Sequence, residues 1–329
     1  MRRWVLGAAG MTCAAIACGG FLEVDEPIPS PDRTDAGAPD AAAPDSSDAP
    51  DAGAGDDDAD ADAAPFSGPA CAGDLPFGDA IPLAELNELG EIASVRIAPG
   101  RTTAMIALDA GPPQYFDVYE GPFPRGSALY WALANDPYGE LAPVPLADPL
   151  EVLYEQAPIA AGTHVLMSAS RQQPDQRLGA PTPQVLPMDA GANVTDPWSV
   201  AGTGVLYFTV EPGELGSRDV YRAERSGGAW TGGPVSGLSS ALDEAAPVVT
   251  DDEQTIYFAR RDGAAEDIYV ATRSSKTAAW GSALPLASGT INTAAAERPT
   301  WISPNNCTLF FTSDRGGSWR AYRVDRRRL

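Results

Sequence analysis

Three stretches of the 329-residue chain repeat one order of strand-forming residues, and this repeat limits the possible folds more than any other feature. Their apolar runs are Val-Leu-Tyr-Phe at 205–208, Thr-Ile-Tyr-Phe at 255–258 and Thr-Leu-Phe-Phe at 308–311. These runs lie roughly 50 residues apart, and a second strand-forming segment follows each of them. Short apolar runs bounded by Gly, Pro, Asn and Asp indicate an all-β domain.

Two weaker copies precede these three. In the first copy, residues 95–100 are followed by residues 104–106, and residues 129–132 are its second strand. In the other copy, residues 157–159 are followed by residues 164–167. A third element recurs between the copies and contains Pro, which belongs on a sheet edge because it cannot donate a ladder hydrogen bond. We therefore expect outer strands at 77–83, 138–143, 178–183, 230–234 and 280–286.

The order of these elements predicts a β-propeller that is closed as a ring. An outer strand at 77–83 precedes the first inner strand, whereas the last unit has no outer strand after it. Five blades closed by the N-terminal strand satisfy both observations and leave no open sheet edge. Six blades remain an alternative because the second unit, 155–183, is short. Leu83, Leu86 and Leu89 would also suit a helix over 82–95, but the repeat favours a strand.

The N-terminus predicts an export signal at residues 1–17. Arg2 and Arg3 precede an apolar run that is too short to span a bilayer as a helix. Small residues before Cys18 resemble the cleavage motif of bacterial lipoproteins, in which this Cys is acylated. Gly19 follows it, and by that resemblance we expect an outer-membrane lipoprotein of the cell envelope. An ordinary signal peptide cut near Ala17, or an uncleaved anchor, is the alternative.

Residues 18–70 predict a disordered acidic tether, and residues 71–329 form the predicted propeller domain. The segment 24–65 contains thirteen Asp or Glu and a single Arg, out of a net charge of −23 for the whole chain. Such a segment has too little apolar surface to offset the entropy of ordering. So acidic a chain repels nucleic acids and anionic lipid surfaces, which leaves the lipid anchor as the expected membrane contact.

Two cysteines remain in the predicted domain. Export favours oxidation, and ring closure would bring the segment around Cys71 next to the blade that contains Cys307. We therefore predict a disulfide between Cys71 and Cys307.

Candidate catalytic groups are few. The chain has one histidine, His164, whereas nucleophilic triads and zinc sites usually require this residue type. No motif in the sequence predicts a cofactor or a metal ion. Four acids occupy equivalent places at the entry to successive inner strands, and we expect them to form a ring at one mouth of the central channel, as a cation or polar-ligand site or as structural hydrogen-bond acceptors: Glu155, Asp196, Glu244 and Glu297.

The last unit carries a family resemblance. Ser-Pro-Asn-Asn at 303–306, the strand 309–311 and Ser-Asp-Arg-Gly-Gly at 313–317 resemble the repeats of TolB-like propeller lipoproteins of the bacterial envelope. The resemblance covers 77–324 and is strongest in the last three units. It implies a non-catalytic module that binds or scaffolds envelope proteins. The alternative is a five-bladed propeller that binds a polysaccharide, on tryptophans such as Trp198 or Trp301, or hydrolyses glycosides.

Overall fold

The structure is a computed structural model. It describes residues 66, 68–73, 75–100, 102–109, 115–125, 130–132, 138–158, 162–215, 217–286 and 289–327. The predicted signal peptide, Cys18 and nearly all of the acidic tether lie outside these residues. No helix within the described ranges is long and apolar enough to cross a membrane.

Five four-stranded antiparallel sheets make up the fold, and each is one blade of a propeller. Blade 1 comprises β2 (Glu91–Ile97), β3 (Thr103–Asp109), β4 (Asp117–Pro122) and β5 (Trp131–Ala132). Blade 2 comprises β6 (Gly139–Pro145), β7 (Glu151–Ala157), β8 (Val165–Ser170) and β9 (Thr182–Pro183). Blade 3 comprises β10 (Asn193–Val200), β11 (Val205–Glu211), β12 (Asp219–Ser226) and β13 (Ala229–Pro234). Blade 4 comprises β14 (Asp243–Val249), β15 (Thr255–Asp262), β16 (Ala265–Thr272) and β17 (Leu284–Pro285). Blade 5 comprises β18 (Glu297–Ile302), β19 (Thr308–Ser313), β20 (Arg320–Asp325) and β1 (Ile81–Pro82).

The N-terminal strand closes the ring, as the sequence predicts. β1 pairs antiparallel with β20, with Ile81 opposite Arg323 and Pro82 opposite Tyr322. The predicted disulfide is present in the same blade and joins Cys71 to Cys307, whose Cα atoms lie 5.1 Å apart. The five-bladed architecture and its closure by the N-terminal strand are therefore confirmed.

Blades 1 and 2 differ from the prediction by one strand. Residues 129–132, predicted as a second strand, contain the outer strand β5, and 138–143, predicted as an outer strand, begin the innermost strand β6. The segment 157–159 was predicted as an inner strand, but Ala157 is the last residue of the second strand β7, and residue 159 lies outside the described residues. Pro143 was misleading, because it lies at the β-bulge of β6, the inner edge strand of the sheet, and not on its outer strand. Blade 2 consequently has four strands.

A single helical turn, α1 (Ala84–Asn87), follows β1. It places Leu86 in the core, and the Asn87 amide bonds the backbone of Ala321 in β20. The leucine spacing thus correctly indicates a helix, but one of four residues, whereas the repeat correctly predicts the strand before it.

The innermost strand of every blade contains a β-bulge. In blades 2, 3 and 4 the bulge holds a residue of left-handed conformation followed by Pro, namely Ala142 (φ 46°), Asp196 (φ 51°) and Ala246 (φ 51°). A bulge bends the strand and re-aims its side chains. The Pro of the repeat therefore marks a bulge beside the channel in three blades.

The core lies between the blades and is built from their second strands. Tyr207 and Tyr257 are fully buried at the same place of β11 and β15. The Tyr207 hydroxyl donates to Glu253, 3.0 Å away, and the Tyr257 hydroxyl donates to Asn306 at 3.0 Å. Because each acceptor belongs to the next blade, every such tyrosine couples neighbouring blades as well as filling the core.

Candidate functional site

The first strands of the five blades surround a central channel, each in contact with the first strand of the next blade. Two cavities border this channel, and Arg96 lines both. We call the end near the beginning of the inner strands the polar mouth, and the end near their last residues the apolar mouth. The side chains that line these two mouths define the candidate site.

Arg96 lies across the channel and is 4% exposed. Its Nε donates to the Thr300 carbonyl at 3.2 Å, and Nη1 donates to the carbonyls of Pro197 and Ala142. The guanidinium also lies 5.5 Å from the ring centroid of Trp198. Burial lowers the pKa of Arg96 to about 10, although nearby acids oppose this shift. The group remains charged at neutral pH and joins blade 1 to blades 2, 3 and 5.

Arg96 departs from the repeat. It pairs with Met105, the third residue of β3, whereas the corresponding inner-strand residues of the other blades are apolar. Blades 3 and 5 have Trp198 opposite Tyr207 and Trp301 opposite Phe310. The sequence contained this signal, because an arginine interrupts the apolar run 95–98, but the prediction did not use it.

The polar mouth has a volume of about 260 Å³ and is built around Glu155. This carboxylate is 4% exposed; Oε1 lies 2.6 Å from His164 Nδ1 and Oε2 accepts the Asp196 backbone N–H at 3.0 Å. Burial raises the pKa of Glu155, and its hydrogen bond to His164 raises the pKa of the imidazole. His164, which the sequence did not mark as a site residue, therefore belongs to the mouth.

Asp196 also lines the polar mouth, on the bulge of β10. Its Oδ2 accepts hydrogen bonds from the Thr195 hydroxyl at 3.0 Å and from the Thr209 hydroxyl at 3.3 Å. Glu155 occupies the place on β7 that Thr209 occupies on β11, so it belongs to a second strand and not to an inner one. The structure thus brings Glu155 and Asp196 together, but at different places of the repeat.

Glu244 and Glu297 lie elsewhere, at the beginning of β14 and β18, and line neither cavity. Both are fully buried and bond the residue four positions earlier: Glu244 bonds the Ser240 hydroxyl at 2.5 Å and Glu297 bonds the Thr293 hydroxyl at 2.6 Å. Each carboxylate also meets an arginine of its own blade. These two acids hold the connection that enters each blade, so the four acids do not form one ring.

Two further polar-mouth residues were missed in the sequence. Ser94 on β2 and Thr300 on β18 are each 4% exposed, and their hydroxyls have no hydrogen-bond partner among the described residues. Arg298 lines the same cavity and donates to Glu266 through Nε at 3.2 Å and Nη2 at 3.0 Å. Isolated Ser, Thr and Arg residues on a strand carry no sequence signal of their own, because only the closed ring brings them together.

The apolar mouth has a volume of about 340 Å³. Trp198 and Trp301 lie on it and are 7% and 6% exposed. The Trp198 indole N–H donates to the Val249 carbonyl at 3.0 Å, so its polar edge is satisfied and its ring serves as an apolar wall. Most of the other lining side chains are aliphatic or aromatic: Phe66, Ile97, Ala98, Pro99, Val144, Pro145, Ala201, Ile302 and Pro304.

A cleft of about 230 Å³ between blades 2 and 3 continues the apolar mouth outward. The two share Pro99, Pro145, Ser199 and Ala201. The cleft ends at Trp230, whose ring lies under the guanidinium of Arg225 at 5.8 Å. The apolar surface is therefore long enough to follow an extended chain from the channel to the rim of the propeller.

The residues that the structure describes include no group of three or more His, Cys, Asp or Glu side chains able to hold a metal ion. At the polar mouth, both carboxylate oxygens of Glu155 are already engaged by His164 and by the Asp196 backbone. A general acid needs a proton within reach of its substrate, whereas both oxygens of Glu155 are occupied by other groups. The site thus offers hydrogen-bonding groups at the polar mouth and apolar walls at the apolar mouth.

Comparisons with known proteins concern the fold alone. No protein-family model matches the chain, and no curated protein matches it. Among solved structures it is similar to TolB from Acinetobacter baumannii, with 13% identity, a TM-score of 0.47 and coverage of 72% of this chain and 55% of that chain. The chain thus spans about half the length of that TolB. TolB from Agrobacterium tumefaciens gives 13% identity, a TM-score of 0.46 and coverage of 72% and 74%. A thermostable family-43 glycoside hydrolase gives 15% identity, a TM-score of 0.49 and coverage of 74% and 92%.

Proposed function

We propose that this protein is a non-catalytic binding module of the cell envelope, which takes an apolar segment of another envelope protein at the apolar mouth. The observation that carries the proposal is the cavity of about 340 Å³ walled by Trp198 and Trp301. Partly exposed apolar surface around buried aromatic side chains is typical of protein-binding sites. The last residues of the inner strands and the loops that follow them form this mouth on the closed ring.

The absence of catalysis is part of this proposal. The repeat alone does not support it, because Glu155 and Asp196 both break the symmetry that the sequence suggested. The contacts support it better: Glu155 is held at both oxygens, and the chain has a single histidine. A retaining or inverting glycosidase would need one carboxyl group free to protonate a leaving group and a second one facing the sugar.

In the same proposal, Cys18 is acylated and anchors the domain to the outer membrane through the acidic tether. A tether of this length lets a rigid domain search a wide volume around its anchor. Labelling with a fatty-acid analogue should mark the wild-type chain and leave Cys18→Ser unlabelled. Equal labelling of both chains would rule out this anchor.

Capture from cross-linked envelopes tests the binding site. Ala201 is half-buried where the apolar mouth meets the cleft, and Ala201→Arg should reduce the recovery of a specific partner by at least about tenfold by filling this space. Ala264→Arg is the matched control, because Ala264 is exposed in the turn between β15 and β16 at the opposite end. Equal recovery with both variants would contradict the proposed site.

A second candidate is saccharide binding at the polar mouth. The observation that favours it is the pair of buried hydroxyls, Ser94 and Thr300, near the charged groups of Asp196 and Arg298. Such a mixture of donors and acceptors suits a neutral polyol. A glycan array combined with a hydrolysis screen separates the candidates, since a signal lost in Asp196→Asn with the fold intact would favour this one.

A further inference from the structure

Phe66 is the first aromatic residue after the acidic segment, and it packs at the apolar mouth. Its ring centroid lies 5.0 Å from that of Trp301, 6.0 Å from that of Phe310 and 6.3 Å from that of Phe123. Trp301 and Phe310 meet it edge-on, and Phe123 is stacked. Offset and edge-on arrangements at these distances are the favourable aromatic contacts.

The backbone of Phe66 shows that the ring is what holds the residue there. Its φ of 78° lies in the left-handed region, which glycine adopts freely but which is unfavourable for a residue with a bulky side chain. Interactions elsewhere must outweigh this backbone cost. Because the ring contacts three buried aromatic side chains, these contacts supply the compensating interaction.

The chain near Phe66 is fixed only a few residues later. The Cys71 backbone N–H donates to the Asn305 carbonyl at 2.9 Å, and the Asn305 amide donates to the Gly68 carbonyl at 3.4 Å. The disulfide from Cys71 to Cys307 then ties this segment to the turn between β18 and β19. Phe66 can thus leave the aromatic site while Cys71 and the closed ring stay in place.

We propose that Phe66 is an intramolecular occupant of the aromatic site formed by Phe123, Trp301 and Phe310, and that an incoming segment binds by replacing it with an aromatic side chain of its own. The inference rests on the proposed function and names the chemistry of the partner. Phe66 itself shows which side chain fits, and the cleft toward Trp230 gives room for the extended chain that follows. The partner is therefore an extended peptide segment with an aromatic anchor.

The aromatic dye 8-anilinonaphthalene-1-sulfonate, added to the full chain, tests this without a known partner. Phe66→Ala uncovers the aromatic site and should bind the dye at least about threefold more tightly than the wild type. Phe66→Leu keeps an apolar cover and should bind with intermediate affinity. Leu215→Ala is the matched control, because it removes an exposed apolar side chain near the opposite mouth and should leave dye binding unchanged.

Adding Ala201→Arg to Phe66→Ala should return dye binding to the wild-type value, because the arginine fills the adjoining cavity. A Phe66→Ala variant with an unchanged far-ultraviolet circular dichroism spectrum and no gain in dye affinity would overturn the inference. A gain that persists with Ala201→Arg would overturn it too, because the dye would then bind elsewhere. The proposed function fails separately, if capture of an envelope partner is insensitive to Ala201→Arg.

Discussion

The channel is defined by a few side chains that depart from the repeat. Arg96 replaces the apolar residue that the other blades have at the same place, Glu155 replaces a small residue of the second strand, and Asp196 replaces the alanine of the bulge. A closed ring of similar blades needs none of these charges for its packing. We infer that they set the chemistry of the two mouths, one polar and one apolar.

The Glu155–His164 pair predicts how stability depends on pH. Both groups have a raised pKa in the folded chain: Glu155 chiefly because of burial, and His164 chiefly because Glu155 bonds its imidazole. The charges of Asp196 and Glu211 add to the shift at His164. A group with a raised pKa stabilises the fold fully below its ordinary pKa, and this contribution is lost as the pH rises through the folded-state value.

For His164 this loss begins near its ordinary pKa of 6.5 and continues upward. We therefore expect the Tm of the wild type to fall as the pH rises above the ordinary pKa of His164. His164→Gln cannot be protonated, so its Tm should fall less over the same range. Thermal unfolding of both chains at a series of pH values measures this, and parallel curves for the two would contradict the assignment.

At the scale of the strands, the left-handed bulge is an element that blades 2, 3 and 4 share. Ala142, Asp196 and Ala246 adopt it at equivalent places, each before a Pro. Ala142 and Ala246 have no special side chain, so their conformation is imposed by the fold. The bulge therefore lowers the stability of each inner strand locally while it positions the residues that face the channel.

Ala246→Gly tests the cost of this conformation, with its neighbour Ala245→Gly as the control. Both alanines are buried, but only Ala246 has a positive φ. Glycine adopts the left-handed region freely, whereas an L-residue loses about 1 kcal/mol or more there. We expect Ala246→Gly to be less destabilising than Ala245→Gly by about 1 kcal/mol in denaturant unfolding. Equal losses would show that the bulge carries no such strain.

Most of the blade architecture could be predicted from periodicity, because a four-stranded blade imposes a regular spacing on strands and turns. The errors cluster in blades 1 and 2, where Pro143 lies in a bulge and Glu155 lies on a second strand. A Pro on an outer strand and a Pro in a bulge look alike in sequence. The candidate site was predicted less well, since Ser94, Arg96, Arg298 and Thr300 meet only through ring closure.

At the scale of the whole molecule, closure determines where the N-terminal segment lies. β1 pairs with the last blade, and the disulfide joins positions separated by 236 residues in sequence. Phe66 consequently lies at the apolar mouth, with its ring on Trp301, beside the surface that we propose for binding.

The central claim is that a closed propeller binds its partner at this mouth. A photo-crosslinking amino acid at position 201, introduced into the full chain in its native envelope, measures the contact directly. The account predicts a discrete cross-linked product from position 201 and none from position 264, with the yield increased when Phe66→Ala is added. A product from position 264 alone, or the same products from both positions, would contradict it.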